Sequence, residues 1–146
     1  MTAHTAVPAE WLLPLRARSA GRARALLRDQ AHAWGLPEDT TETALLLLSE
    51  LVTNACRHAR VPSGRRVGIR CILRDGTLRV EVSDPGDGVP RPRRAGPDDE
   101  SGRGLVLVAA LATGWGTHPR PSGPGKTVWF ELGRCEAPSA GSPGRR

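Results

Sequence analysis

Between residues 67 and 82 the apolar side chains fall at every second position: Val67, Ile69, Cys71 and Leu73, then, beyond Asp75-Gly76, Leu78, Val80 and Val82. Period-two spacing puts each set on one face of a strand, and Asp-Gly is a preferred two-residue link between antiparallel strands. A hairpin with one apolar face cannot stand in water. It needs a second layer to cover that face, so the rest of the chain must supply helices or another sheet.

Two helices precede the hairpin. Ser19 offers an N-cap, Ala23, Leu27, Ala31 and Trp34 recur at helical spacing, and Gly35 supplies a stop. Leu36-Pro37-Glu38-Asp39 then starts a second helix, with proline in its first turn and acids at the positive end of the dipole, running to about His58. Trp11 to Leu15 forms a short edge strand, Leu105 to Thr113 an apolar helix, and Trp115 to His118 and Thr127 to Leu132 two further strands. The fold class expected is α+β: a two-layer α/β sandwich, its mostly antiparallel mixed sheet carrying helices on one face. Residues 1–10 are expected to be a flexible N-terminus, 11–132 one domain with a loop over about 89–101, and 133–146 a disordered tail.

Length and composition exclude several classes. A chain of 146 residues, 38% hydrophobic and 25% charged, has room for one core and is ordinary for a globular domain. No apolar run reaches the roughly 18 residues of a spanning helix, and MTAHTAVPAEW carries neither a basic nor an apolar leader segment, so no membrane and a cytoplasmic location are expected. Cys56, Cys71 and Cys135 are scattered, which fits reduced thiols better than a disulfide framework or a zinc site. The net charge of +6 is almost all arginine, dispersed along the chain, and with four Trp, one Phe and no Tyr there is no aromatic series on which bases could stack. No direct contact with nucleic acid is expected.

Three features sit poorly with packing alone. In the second helix Glu50, Asn54 and Arg57 form a polar stripe beside the core stripe Ala44, Leu48, Leu51 and Ala55. The solvated side of an amphipathic helix looks the same, although asparagine is a poor helix former. Asp84 continues the apolar row of Leu78, Val80 and Val82, where it either needs a partner or opens an Asx-type turn with Pro85. Gly86 and Gly88 follow it, and Gly102 and Gly104 stand at the entry of the apolar helix, where free N–H groups favour an anion. Established nucleotide signatures fail: Gly125-Lys126-Thr127 has Arg120 where a P-loop needs glycine, and neither glycine pair has the third glycine of a dinucleotide fingerprint.

Taken in order, ELVTNACRHA, DPGDGVP, SGRGLVLV and GKTVWFEL resemble the boxes of the GHKL or Bergerat ATP-binding superfamily, and the single short domain resembles its RsbW-like branch of anti-sigma factors and serine-protein kinases. The resemblance spans about Trp11 to Leu132. It implies ATP and Mg²⁺ as cofactors, with Asn54 as the metal ligand and Glu50 as the catalytic base. It further implies that Asp84 accepts from the adenine amino group, that Gly86 and Gly88 form the first glycine box, and that Gly102, Arg103, Gly104 and Leu105 form the second. Thr127 matches a strand threonine near adenine, although its parity differs from Val128, Phe130 and Leu132. His58 falls at a recurrent histidine position with a structural role.

As implied by the resemblance, the protein phosphorylates a serine or threonine on an anti-anti-sigma (STAS-type) antagonist, sequesters a sigma factor and forms a homodimer. Two alternatives remain: a nucleotide-binding partner switch without phosphate transfer, and the catalytic fragment of a sensor histidine kinase. The second would need dimerisation helices and a phospho-accepting histidine, for which there is no room before Trp11.

Overall fold

The computed structural model describes residues 6–58, 65–84, 100–120 and 125–133, with the backbone alone at 57, 58 and 100–104. The elements run β1 (Ala9–Pro14), α1 (Ser19–Trp34), α2 (Glu38–His58), β2 (Arg66–Arg74), β3 (Thr77–Asp84), α3 (Glu100–Leu111), β4 (Gly114–Pro119) and β5 (Lys126–Leu132). The hairpin closes as expected: Asp75 and Gly76 both take positive φ, 52° and 80°, the geometry that matches the twist of the strands it joins. The residue pairs from Arg74 and Thr77 to Gly68 and Ser83 then fall into antiparallel register.

The five strands form one sheet in the order β1-β2-β3-β5-β4, antiparallel at every pairing. Leu13, Val67, Ile69, Cys71, Leu78, Val80, Val82, Phe130 and Leu132 make its buried face. All three helices pack on that side, and α2 lies at the centre, against α1, α3, β3 and β5. This position explains the leucine run. Leu45, Leu47 and Leu48 are almost wholly buried because α2 has neighbours on three sides, and Leu46 alone of the four turns outward, 42% exposed.

Local signals set the helix ends. Gly35 ends α1 in the left-handed region, φ 74°, and its N–H reaches Ala31 O and His32 O. Glu38 and Asp39 occupy the first turn of α2, and Thr41 Oγ1 donates to Pro37 O at 3.0 Å. Several boundaries differ from expectation by one or two residues, and two differ in ways that matter for the fold. β1 begins at Ala9, two residues before Trp11, because its register with β2 runs on to Cys71. α3 begins at Glu100, so the last residues of the expected 89–101 loop belong to the helix, and the remainder of that loop lies outside the described residues. The expected tail lies outside them too, apart from Gly133.

The opposite face of the sheet is polar. Arg70 pairs with Glu10 at 3.0 Å and Arg79 with Glu81 and Glu131 at 2.8 and 3.0 Å, while the Arg79 guanidinium stacks 4.1 Å from the Trp129 ring centroid. These pairs keep the face away from the helices wettable, and the two that cross strands, Arg70–Glu10 and Arg79–Glu131, reinforce the register.

Candidate functional site

Hydrogen-bonded register fixes which strand ends meet. The ladder of β3 with β5 closes at Asp84 opposite Lys126, and parity puts both on the helix-covered side, in line with Val82 and Val128. Asp84 is half-buried there and is engaged by the surrounding protein. Cys56 on α2 lies within its field: burial, and then the Asp84 carboxylate, push the Cys56 thiol above its ordinary pKa. The C-terminal half of α2 therefore stands over the strand end that carries Asp84.

Glu50 and Asn54 lie on that same half of α2, one turn apart and both half-buried. Among the described residues neither is held by a hydrogen bond or an ion pair, so the carboxylate and the amide have unused bonding capacity. Arg57 and His58 are helical, and their side chains lie outside the described set.

The third wall is α3. Its C-terminal end is tied to the far end of the sheet, where Thr113 N–H donates to Glu131 O at 2.8 Å. From there to Lys126 the sheet runs about 17 Å at roughly 3.3 Å per residue. Twelve helical residues span about 18 Å at 1.5 Å each, so α3 is long enough to bring its first turn back to the level of Asp84. Gly102 and Arg103 lie within that first turn and Gly104 directly follows it, and Leu105 is half-buried against the core. Gly86 and Gly88 lie outside the described residues.

Thr127 is not on this side. It pairs with Ser83 across the ladder, on the face away from the helices, where it is 2% exposed and its Oγ1 lies 2.9 Å from Ser83 Oγ. The residue brought opposite Asp84 is its neighbour, Lys126, the chain's single lysine. Sequence reasoning passed over Lys126, and the signal was available: counting back in twos from Phe130 through Val128 reaches Lys126 and misses Thr127.

The candidate site thus groups Glu50 and Asn54, on the half of α2 whose Cys56 feels the Asp84 charge, with Asp84 of β3 and its ladder partner Lys126 of β5. An acceptor at one end suits a base amino group, and oxygen donors beside free helix N–H groups suit a phosphate with its cation.

Known proteins share the fold. The family model described as "Histidine kinase-like ATPase domain" matches residues 13–132. An uncharacterized protein of Streptomyces coelicolor, SCO4941, is 49% identical over 51 residues, a match covering 34% of this chain and 49% of that protein. The RsbU and RsbW domains of Rv1364c from Mycobacterium tuberculosis share the fold at TM-score 0.68 and 21% identity, over 87% of this chain and 32% of that one. The histidine kinase domain of a blue-light activated histidine kinase from Erythrobacter litoralis EL346 aligns at TM-score 0.51 and 26% identity, over 83% of this chain and 61% of that one. The chain thus spans half or less of SCO4941 and of the Rv1364c structure. With the family model running through every described element from the end of β1 to β5, this chain belongs to the histidine kinase-like ATPase domain family.

Proposed function

We propose that the protein is an Mg²⁺-ATP-dependent serine/threonine-protein kinase that doubles as an anti-sigma factor. It phosphorylates an anti-anti-sigma antagonist of the STAS type and sequesters a sigma factor. The reading rests on Glu50 and Asn54 lying one turn apart on the half of α2 whose Cys56 feels the charge of Asp84, at the end of β3. The family match and the RsbW-containing fold relative support it.

The residues present fit the cofactors. Among the described residues no cluster of three His, Cys, Asp or Glu side chains could hold a metal by itself. A cation bound here would draw most of its ligands from phosphate and water, which is the habit of Mg²⁺ and not of zinc. Asn54 would hold it through the amide oxygen, and when bound it would neutralise phosphate charge. Glu50, one turn back, would accept the proton of the attacking hydroxyl, while Asp84 would accept from the adenine amino group and so orient the nucleotide. The first turn of α3 would present N–H groups to the phosphates. Phosphorylation adds nearly two negative charges to the antagonist, enough to switch its affinity for the kinase. A cytoplasmic homodimer belongs to the same reading; no helix among the described residues is long and apolar enough to cross a membrane.

Incubation with labelled ATP, Mg²⁺ and STAS-type antagonists tests the proposal. Acid-stable label on antagonist serine or threonine is expected, lost in Glu50→Ala and Asn54→Ala. The likeness to a histidine kinase domain favours a second reading, in which acid-labile label appears on histidine instead. Undiminished transfer in both variants would overturn the assigned roles.

A further inference from the structure

The N-terminus of α1 is built against its own electrostatics. Arg18 is the N-cap and makes no side-chain cap, and the first turn contains no acid. Arg16 and Arg22 add two more positive charges beside the positive end of the helix dipole, where cations destabilise. Elsewhere three arginines are neutralised, Arg28 by Glu42, Arg70 by Glu10, and Arg79 by Glu81 and Glu131, while Arg24, Arg66 and Arg74 stand singly among the described residues. Among the described residues no carboxylate pairs with Arg16, Arg18 or Arg22.

The same three arginines line one cleft, with Leu12 and Pro14 of β1 as its apolar wall. Leu12 is 64% exposed at this place. β1 is the outermost strand of the sheet, so its outer row of backbone N–H and C=O groups has no neighbouring strand among the described residues. The cleft offers concentrated positive charge and an apolar contact, and it abuts the strand edge at Leu12. The edge ends at Pro14, which has no N–H and whose carbonyl accepts from Arg16 N–H and Ser19 Oγ.

We infer that this cleft is a docking site for an acidic, extended segment of a partner protein, which adds along β1 and places carboxylates against Arg16, Arg18 and Arg22. Main-chain pairing to an open edge supplies affinity, and alternate side chains supply specificity. The charge left without carboxylates among the described residues is the complement such a segment brings. No aromatic side chain lines the cleft, so a nucleic acid would find charge without stacking. The site is separate from Glu50, Asn54 and Asp84, although it lies at the same end of the sheet: Cys56 Sγ donates to Arg16 O at 3.1 Å while feeling the Asp84 charge.

The test is fluorescence anisotropy with a labelled short peptide of alternating Glu and Val, titrated with the full chain. Replacing Arg16, Arg18 and Arg22 together by alanine is expected to weaken binding at least about tenfold, as three lost ion pairs require, with smaller losses for each single change. Replacing Arg24, Arg28 and Arg74 by alanine removes equal charge away from the cleft lining and should change affinity by no more than about twofold. The cleft variant should melt no lower than the parent, since it removes cations from a helix N-terminus. Equal affinity in the parent and the cleft variant would overturn the inference. So would an equal loss in the control variant, an oligonucleotide of the same charge binding as tightly, or displacement of the peptide by dilute inorganic phosphate. Nucleotide titration of the same variants keeps the two sites apart, because the cleft can fail while nucleotide binding stands, and the reverse.

Discussion

Asp84 on β3 and Lys126 on β5 stand directly across from each other at the open end of their ladder, on the side the helices cover. Asp84 is half-buried at that ladder end, where a carboxylate can accept a hydrogen bond from a ligand. Asp84→Asn keeps the shape but exchanges an acceptor oxygen for a donor. Adenine nucleotide affinity, measured by calorimetry, should fall at least about tenfold, the cost of one charge-assisted hydrogen bond, while the melting temperature changes little. Unchanged affinity would remove Asp84 from the base-binding role.

Glu50 and Asn54 should separate by assay. Glu50→Gln keeps size and polarity, so nucleotide binding should persist while phosphate transfer falls by about 10²–10⁴, the usual contribution of a general base. Asn54→Ala should instead abolish the Mg²⁺-dependent part of nucleotide affinity, read as titrations with and without the metal that coincide. Glu50→Gln retaining full transfer would point to a binding switch without catalysis.

Much of this was legible because two periodicities dominate the chain. Alternation around Asp75-Gly76 fixed the central hairpin, and the 3.6-residue stripe of Ala44, Leu48, Leu51 and Ala55 gave the buried face of α2 with its polar flank. The start of α3 was hidden because its first turn, Glu100 to Arg103, is polar and contains glycine, so neither period nor propensity announces it. Lys126 and the Ser83–Thr127 pair depend on which residues oppose each other across β3 and β5, and those strands lie far apart in sequence. The arginines of the cleft are close in sequence, but the cleft itself, with Leu12 and Pro14 as its wall, exists only once β1 turns into α1.

Thr127 offers a test of that register. Its buried hydroxyl and that of Ser83 satisfy each other at 2.9 Å, on the face away from Asp84. Thr127→Val should lower stability by about 1 kcal/mol, with a melting temperature down by roughly 3–5 °C, and leave nucleotide affinity unchanged. Reduced nucleotide affinity at unchanged stability would place Thr127 at the base after all.

Cys71 predicts how the fold responds to alkali. It is fully buried in β2, and burial first, then the Glu81 charge, push its thiol up to about 12 from an ordinary 9.0. The native state therefore holds the Cys71 proton across a pH range in which the unfolded chain has released it. With fewer protons bound in the unfolded state, stability falls as pH rises. The contribution is complete below about pH 9 and declines toward pH 12, by about 1.4 kcal/mol for each pH unit in between. Denaturant melts of the parent and Cys71→Ala at intervals across this window should diverge at the neutral end and converge at the alkaline end. The variant starts lower because it loses buried sulfur, then declines less steeply because no thiol titrates. Parallel pH profiles for the two proteins would mean that Cys71 ionises without cost in the folded state, and that the sheet's buried face admits water.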